Sequence, residues 1–415
     1  MVDEYAPLKK ILADTVNMLA TAQTFNVSLF LRKMEVAFIE TGFRDKNLSG
    51  EIQSILLVRM DAAGDFILTT PAIRAVRENY PNAYITLVVS KQIYKLAELC
   101  PYVNEVIAIE RPPVIDLQRD FVNAANFAEE HLWQRRFDLA ICIGTVNHLL
   151  RNFLMYLSGA RQRVTYLFDE LGEILNTHCY KMSREYNVHD VMISLYLLKA
   201  HGLKIGNTDI EVWFNNSDLY TARRLLKNFG EGRIKVAVGI GANSPARKYP
   251  IEKYLVAFKQ IIDKGASIMI FGGKSELDDA EFLEDNLPEE FVKNFVSENI
   301  NWRVTMAAIS QSDLYLGNDT GTQHVAAALK KPVIVLSRVA QDLKKFYKYE
   351  TENELYRPWG TDAIVLQPEH QIGECINNIS YQGCTAGKSH CIAQIEPSEI
   401  VDAFDAMIEF IRENY

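Results

Sequence analysis

The sequence predicts an α/β protein in which a helical extension precedes two units, each built on a parallel sheet. Three observations indicate this fold class. The chain has 415 residues, which is more than a single hydrophobic core usually accommodates. From Ile52, short apolar runs alternate with helical stretches, and the alternation begins again at Ile234. Before residue 51, the apolar residues instead recur at helical spacing.

These patterns divide the chain into four segments. We expect a helical extension over residues 1–50, a first α/β domain over 51–215 and a second over 216–395. A terminal helix is expected over 396–415, packing back toward the N-terminal domain.

The extension carries two amphipathic helices. Their apolar residues follow the i, i+3, i+4 spacing that gives one apolar stripe on each helix. Packing of these stripes on the main body or on another subunit is the simplest interpretation. A helix lying on a membrane surface is the alternative, since basic residues border the stripes. The stripe residues are Leu8, Ile11, Leu12, Val16 and Leu19 in the first helix, and Val27, Phe30, Leu31, Met34 and Phe38 in the second.

The first α/β domain begins with a predicted strand, SILLVRM, which leads into the helix FILTTPAIRAVREN. AYITLVVS, VNEVIAIE and FDLAICIG are further strands, and KQIYKLAEL is a helix. Residues 111–136 form a longer polar and aromatic insertion, which is either a mobile loop or a helix over the site.

The second domain repeats the alternation. IKVAVGIGA, SIMIFGG, DLYLGND and KPVIVLS are its predicted strands, and IEKYLVAFKQIIDKG and LDDAEFLEDNL are helices between them. The terminal helix PSEIVDAFDAMIEFIREN starts at Pro397, a residue favoured in a first helical turn.

The net charge limits the classes of partner that we expect the protein to bind. A formal net charge of -9 argues against nucleic-acid binding, which needs a basic excess on one face. No segment contains the roughly 18 consecutive apolar residues of a membrane span, and the N-terminus lacks the basic-then-apolar order of a signal peptide. We therefore expect a cytoplasmic protein.

The six cysteines do not resemble a secreted disulfide framework, and free thiols are the simpler interpretation. Cys375, Cys384, His390 and Cys391 offer four metal ligands in principle. Their spacing lacks the close cysteine pair of ordinary zinc modules, so we predict no metal site, with a metal at these four residues as the open alternative.

Three polar stretches follow predicted strands, where ligands bind in open parallel sheets. In the first, RMDAAGDF, Gly64 permits a tight turn and Asp65 begins a helix. Asp65 is either a helix cap or a functional carboxylate, and Asp61 is a turn residue or a second candidate. A lone glycine here is a poor match to the dinucleotide-binding fingerprint.

The second stretch, GIGANSPARKYP, has the composition of a phosphate-binding loop. Gly239 and Gly241 allow a ligand to approach the backbone, Asn243 and Ser244 offer short donors, and Lys248 supplies positive charge. Such residues are also common in ordinary loops.

The third stretch, GNDTGTQH, lies where a buried strand gives way to a helix. The exposed amides of that helix, together with Thr320 and His324, suit a pyrophosphate. In the stretch FGGKSE, Glu276 is either a ribose ligand or an ordinary residue of a first helical turn.

In this order, MDAAGDFILTTPAIRAV, GANSPARKYP, FGGKSE and LGNDTGTQHVAAALKKPVIVL resemble glycosyltransferase family 9, the ADP-heptose:lipopolysaccharide heptosyltransferases. The resemblance covers most of residues 52–337. It implies the GT-B fold, in which two Rossmann-like domains face a cleft. Residues 51–215 would form the acceptor domain and 216–395 the nucleotide-sugar domain. The pair Thr322 and Gln323 departs from the family pattern and leaves the donor and the acceptor open.

The resemblance also implies roles for individual residues. Asp65 matches the general base and Lys248 the lysine that binds the donor phosphates. Glu276 matches the glutamate near the ribose. Asn243 and Ser244 match the phosphate loop, and Asp319, Thr320, Gly321 and His324 match the diphosphate-binding turn.

The activity implied is inverting transfer of a sugar, heptose from ADP-heptose, to a lipopolysaccharide-core or related glycan acceptor. The alternatives are a heptosyltransferase-like enzyme that glycosylates protein and a non-catalytic nucleotide-sugar-binding scaffold. We expect no obligatory metal or cofactor, because a lysine and a helix N-terminus can neutralise the diphosphate. Peripheral contact at the inner face of the cytoplasmic membrane and a homo-oligomer formed through the N-terminal helices are compatible with this function.

Overall fold

The computed structural model describes residues 5–20, 27–41, 50–110, 116–144, 149–167, 170–181, 189–341, 355–372 and 390–414. The chain forms two compact units. The first comprises Met1–Asp61, Pro71–Ser183 and Val191–Thr208, and the second comprises Ala62–Thr70, Arg184–Asp190 and Asp209–Tyr415. The short segment Ala62–Thr70 thus groups with the second unit, although its neighbours in sequence belong to the first.

The first unit contains a six-stranded sheet in the order β3-β2-β1-β4-β5-β6, and every neighbouring pair is parallel. Its strands are β1 (Ser54–Arg59), β2 (Tyr84–Ser90), β3 (Glu105–Ile109), β4 (Leu139–Cys142), β5 (Gln162–Tyr166) and β6 (His178–Tyr180). The helices are α1 (Ala6–Ala20), α2 (Val27–Glu40), α3 (Ala63–Asn79), α4 (Tyr94–Ala97), α5 (Leu117–Phe127), α6 (Leu149–Leu157), α7 (Glu170–Leu175) and α8 (Asp190–Ala200).

The second unit contains another parallel six-stranded sheet, in the order β12-β11-β10-β7-β8-β9. Its strands are β7 (Ile234–Gly239), β8 (Ala266–Phe271), β9 (Val292–Asn294), β10 (Leu314–Asn318), β11 (Val333–Leu336) and β12 (Ala363–Leu366). The helices are α9 (Asn216–Leu225), α10 (Ile251–Asp263), α11 (Leu277–Asn286), α12 (Trp302–Ile309), α13 (Gly321–Ala328) and α14 (Pro397–Asn414).

Both sheets have the doubly wound Rossmann order. The strand order reverses between β1 and β4 in the first sheet and between β7 and β10 in the second. Ligands of such sheets bind beyond the carboxyl ends of the strands at this reversal. The predicted fold class of two parallel α/β units is confirmed, and the candidate motifs follow β1, β7 and β10, the strands at the two reversal points.

The N-terminal helices belong to the core of the first unit. Leu8, Leu12, Met34 and Phe38 are buried there. Phe30 packs edge-on against Phe121 of α5, with the ring centroids 4.8 Å apart. The described side chains of both apolar stripes therefore pack on the main body. The insertion at 111–136 supplies α5, which joins the same core through Phe121, so helix is the correct interpretation for its described residues.

Helix α3 accommodates a proline in its interior. Pro71 has no N–H to donate to the carbonyl oxygen of Ile67, four residues earlier. The Thr70 hydroxyl donates to that oxygen instead, at 2.7 Å. Thr70 Oγ1 also accepts from the amide of Glu211, at 2.9 Å. Thr70 therefore supplies the hydrogen bond that the Ile67 carbonyl oxygen cannot receive from Pro71. The helix continues to Asn79.

The terminal helix belongs to the core of the second unit. Ile400, Val401, Phe404 and Met407 of α14 are buried in the core of the second unit, where α14 contacts α10. The apolar stripe of this helix is covered within its own unit, and its expected packing toward the N-terminal domain stays a prediction. Among the described residues, no helix combines the length and apolar character that crossing a membrane requires.

A buried cluster of charges lies where β1 ends. Asp61 is 4% exposed and forms ion pairs with Arg59, at 3.1 Å, and with Arg151. Arg59 also donates to the carbonyl oxygen of Ile143, at 3.0 Å. Both guanidinium groups are almost fully buried, so this carboxylate is their counter-ion. Of the two aspartates in the first motif, Asp61 therefore has a structural role.

We predict that Asp61→Ala lowers the free energy of unfolding by about 3–5 kcal/mol, because the variant leaves two buried guanidinium groups without a counter-ion. The control is Glu110→Ala, which removes an exposed ion pair with Lys91 and should cost less than about 1 kcal/mol. Urea denaturation of both variants and the wild type measures the difference. Equal losses for the two variants would contradict the assignment.

Candidate functional site

The turn before α13 presents a helix N-terminus at the end of β10. Thr320 is the N-cap residue, with the extended backbone (φ -147°, ψ 175°) typical of that position. Its side chain does not cap the helix. Within the described part of the chain, the amides of Gly321 and Thr322 have no hydrogen-bond acceptor. Two N–H groups at the positive end of a helix dipole are therefore available to an anion.

Asn318 joins this turn to the loop that follows β7. It is completely buried, and its Nδ2 donates to the carbonyl oxygens of Ile240 and Gly241, at 2.7 and 3.2 Å. Its Oδ1 accepts from the Tyr249 amide and the Tyr254 hydroxyl, at 3.2 and 3.0 Å. All hydrogen-bonding groups of this amide are used within the protein, so Asn318 fixes the two loops rather than binding a ligand.

Lys248 and Glu276 form an ion pair, with Nζ 2.8 Å from Oε1. Asp279 lies 3.5 Å from the same ammonium group. Burial alone would lower the pKa of Lys248, but hydrogen bonding and attraction to these carboxylates outweigh it and raise the pKa. Burial would likewise raise the pKa of Glu276, and hydrogen bonds from Lys248, Ser275 and Gly273 lower it instead. Both partners are therefore charged.

Gly241, in the predicted phosphate loop, lies against the ion pair of Lys248 and Glu276. A Cβ added at Gly241 would lie 3.0 Å from Oε2 of Glu276, so a larger residue would displace the carboxylate. In the same loop, Asn243 is exposed and Ser244 is half-buried. The predicted donor residues of the loop and the predicted ribose ligand are thus neighbours in the second unit.

The segment that carries Asp65 packs on the start of α13. A Cβ added at Gly321 would lie 3.0 Å from Cβ of Ala63 and 3.3 Å from the amide nitrogen of Gly64. A Cβ added at Gly64 would lie 2.7 Å from Cδ2 of His324. Glycine on both sides therefore allows the first turn of α3 to contact the predicted diphosphate turn within the second unit.

Asp65 is half-buried in the first turn of α3. Its Oδ2 accepts from the amide of Ala62, at 3.2 Å, as the third residue of a helix does in a capping box. This contact supports the interpretation of Asp65 as a helix cap. The hydrogen bond from the backbone amide of Ala62 orients the carboxylate.

His324 is buried and neutral. Burial, together with the positive charge that His189 would carry, lowers its pKa to about 3. Gln323 Nε2 lies 3.4 Å from His324 Nε2. Nδ1 of His324 is buried and has no hydrogen-bond partner among the residues that the structure describes. His324 therefore offers an unused ring nitrogen beside the predicted diphosphate turn.

His189 is a second neutral histidine in this unit. Burial lowers its pKa to about 4, and its Nε2–H donates to the carbonyl oxygen of Arg357, at 2.8 Å. Its ring packs against Trp359, with the centroids 4.6 Å apart. Asp319 accepts a hydrogen bond from Gln323, and Gln323 also donates to the carbonyl oxygen of Tyr356, at 3.3 Å. These contacts tie residues 355–359 to the turn.

Of the four candidate metal ligands near the C-terminus, the structure describes His390 and Cys391. Cys375 and Cys384 lie outside the described residues. Cys391 is buried, and its Sγ lies 3.1 Å from Nδ1 of His390 and 3.4 Å from the amide of Ile372. Within the described ranges, no three histidine, cysteine or acidic residues form a metal-binding group.

The structure therefore brings the predicted residues together in two groups. Lys248 and Glu276 form the first, and the Asp65 segment forms the second with the turn at residues 319–324. The sequence analysis did not identify Tyr315, whose hydroxyl is hydrogen-bonded to Thr322. Glycines inside two neighbouring strands, Gly239 and Gly317, were the available signal, because a glycine in a strand often marks a close approach.

We predict that the protein loses stability as the pH falls from 7.5 to 5. Unfolded histidines bind protons near pH 6.5, whereas His189 and His324 stay neutral in the folded protein to about pH 4 and 3. The unfolded state therefore binds more protons in this window, and each histidine contributes a slope of up to about 1.4 kcal/mol per pH unit. Urea denaturation across the window measures this slope.

The replacements His189→Gln and His324→Gln should each flatten that slope. The control is His370→Gln, since this histidine is exposed. A wild-type stability that is the same at pH 7.5 and pH 5 would contradict the prediction, as would an equal change of slope in the control.

The chain is similar in sequence to known proteins. The family described as glycosyltransferase family 9 (heptosyltransferase) matches residues 129–366. Lipopolysaccharide heptosyltransferase 3 of Escherichia coli K12 is 21% identical over 304 residues, which cover 72% of this chain and 84% of that protein.

Two solved structures are similar in fold. A glycosyl transferase family 9 protein from Veillonella parvula DSM 2008 has a TM-score of 0.71 at 18% identity, covering 86% of this chain and 98% of the other. The E. coli ADP-heptose lps heptosyltransferase II has a TM-score of 0.66 at 18% identity, covering 88% and 100%. Since the family match spans more than half of the sequence, the chain belongs to glycosyltransferase family 9.

Proposed function

We propose that this protein transfers heptose from ADP-heptose to a hydroxyl group of a lipopolysaccharide-core or related surface-glycan acceptor, with inversion at the anomeric carbon. The relatives named above support the donor and acceptor classes, since their names specify a heptosyltransferase of lipopolysaccharide and ADP-heptose. An acceptor of this kind is membrane-bound, so the reaction would take place in the cytoplasm at the inner face of the membrane.

The observation that carries the proposal is the packing of the Asp65 segment on the N-terminus of α13. The backbone of Ala63 and Gly64 approaches Gly321 closely, and Asp65 follows directly in sequence. The segment that carries this carboxylate is thereby held against the turn whose amides suit a diphosphate. Inverting transfer needs this combination of a base for the acceptor hydroxyl and donors for the leaving group.

The leaving diphosphate would be stabilised from several directions. The amides of Gly321 and Thr322 would be the neutral donors, and Lys248 would be the cation. In the ligand-free chain, Lys248 is paired with Glu276. Donor binding would exchange this pair for two new contacts, Lys248 with phosphate and Glu276 with the ribose hydroxyls. The charge that develops on ADP as the glycosidic bond breaks would then face donors already in position.

Asp65 would act as the general base. As the acceptor oxygen attacks the anomeric carbon, the bond from that carbon to the diphosphate oxygen breaks, and the hydroxyl proton passes to the carboxylate. The transition state has oxocarbenium character, as in glycosidases that invert configuration. A scaffold that only binds nucleotide sugars would need the diphosphate site but no base.

We predict that Asp65→Asn binds ADP with wild-type affinity but loses transfer by about 10²–10⁴-fold, the usual contribution of a general base. Isothermal titration calorimetry measures binding, and mass spectrometry of glycan products with ADP-heptose measures transfer. The control is Glu170→Gln, which neutralises an exposed carboxylate in the first turn of α7. Unchanged turnover in Asp65→Asn would rule out its role as the base. A product formed on protein rather than glycan would rule out the proposed acceptor.

Lys248→Met should weaken ADP binding by about 10- to 100-fold, because a charge-assisted hydrogen bond to phosphate contributes about 1.5–3 kcal/mol. Lys253→Met is the matched control. Lys253 has the same exposure, 29% against 28%, and it also forms an ion pair at 2.8 Å, with Glu396. Undiminished ADP affinity in Lys248→Met, or equal weakening in both variants, would remove the phosphate role.

A further inference from the structure

A chain of three hydroxyl groups runs from the centre of the second sheet to the diphosphate turn. Tyr315, in the middle of β10, is completely buried. Its hydroxyl lies 2.7 Å from Oγ1 of Thr322, which in turn lies 3.0 Å from Oγ1 of Thr320. The chain ends at the N-cap of α13. A residue whose side chain lies in the core is thereby linked to the proposed ligand-binding surface.

Two glycines make room for this chain. A Cβ added at Gly239 would overlap the Tyr315 hydroxyl and lie 2.6 Å from Oγ1 of Thr322. A Cβ added at Gly317 would lie 2.9 Å from the same hydroxyl and 2.8 Å from the amide nitrogen of Gly239. The two glycines are directly opposite each other on β7 and β10. The space that the Tyr315 hydroxyl occupies therefore exists because both strands lack a side chain there.

The chain explains why Thr320 does not cap its helix. A threonine at the N-cap usually accepts a hydrogen bond from an amide of the first turn. Here its hydroxyl is hydrogen-bonded to Thr322, and it makes no capping contact. The amide of Thr322, the second helical residue and a usual partner of an N-cap side chain, consequently stays available within the described part of the chain. The Thr322 hydroxyl is also hydrogen-bonded to the Tyr315 hydroxyl.

We propose that Tyr315 is a positioning residue for the nucleoside diphosphate: through Thr322 it keeps the Thr320 hydroxyl away from the first-turn amides of α13, so that the diphosphate binds those amides. This inference rests on the proposed function, because it concerns the same diphosphate site. Tyr315 itself would not touch the ligand. Its effect would be to prevent an internal cap from competing with the phosphate oxygens for the same N–H groups.

The test compares ligand binding by variants of the full chain that differ by single hydroxyl groups. Tyr315→Phe and Thr322→Val should each weaken the binding of ADP and of inorganic pyrophosphate by about three- to tenfold, the range of a single neutral hydrogen bond. Adenosine, which has no phosphate, should bind all variants equally. Thr322→Ser keeps the hydroxyl and should retain wild-type affinity. Isothermal titration calorimetry measures each constant.

The double variant Tyr315→Phe/Thr322→Val distinguishes a positioning role of Tyr315 from a general loss of stability. Because both residues act through one chain, the double variant should bind ADP no more weakly than either single variant. The control is Tyr166→Phe, which removes another buried tyrosine hydroxyl, one that donates to the carbonyl oxygen of Ile193 at 2.6 Å. This control should lower the thermal unfolding midpoint as Tyr315→Phe does and leave ADP affinity unchanged.

Three results would overturn the inference: wild-type affinity in Tyr315→Phe, additive losses in the double variant, or equal weakening by Tyr166→Phe. The proposed function fails in a distinguishable way. If the wild type binds UDP in preference to ADP, the donor assignment is wrong, and the same variants test the inference with UDP. If the wild type binds none of ADP, UDP and pyrophosphate, both proposals are overturned.

Discussion

The candidate site depends on the close approach of backbone to backbone at a few glycines. Where β7 and β10 meet, a side chain at Gly239 or Gly317 would overlap the opposite strand or the Tyr315 hydroxyl. The same constraint acts between Gly64 and Gly321, where the first turn of α3 contacts the start of α13. These contacts fix the directions of the two helices. The groups available for chemistry follow from those directions: a half-buried carboxylate, two helix amides and a buried imidazole.

Much of the fold could be predicted because long apolar runs and helical periodicity are local signals. The major strands at the two centres, such as β1 and β7, were predicted within one to three residues. The strands β5, β6, β9 and β12 were not predicted. The edge strands β6 and β9 have only three residues, and segments this short carry no clear alternation. The position of α14 could not be predicted either. Its apolar stripe is visible in the sequence, but the surface that covers it depends on tertiary structure.

Residues of the candidate site could be predicted where they lie within short polar motifs that follow predicted strands. Lys248 and Glu276 were identified from their motifs, and they are in direct contact. The sequence could not show which residue of a motif has a structural role and which is a candidate for chemistry. Asp61 and Asp65 are four residues apart in one loop, and only the buried arginines around Asp61 distinguish a counter-ion from a candidate base. Tyr315 looks like any aromatic residue in a strand, and its link to Thr320 exists only in three dimensions.

The pair formed by Lys248 and Glu276 also affects how a ligand is captured. An ammonium group that is already compensated projects little field into the solvent, and the formal net charge of -9 repels nucleotides at a distance. Electrostatic steering therefore does not accelerate the encounter with an anionic sugar nucleotide, and added salt, which screens the repulsion, should raise the association rate. Under the proposed function, selection would happen at contact, when the ligand replaces a carboxylate as the partner of Lys248. Other polyanions that fail to match the spacing between Lys248 and the helix amides gain nothing from their charge alone.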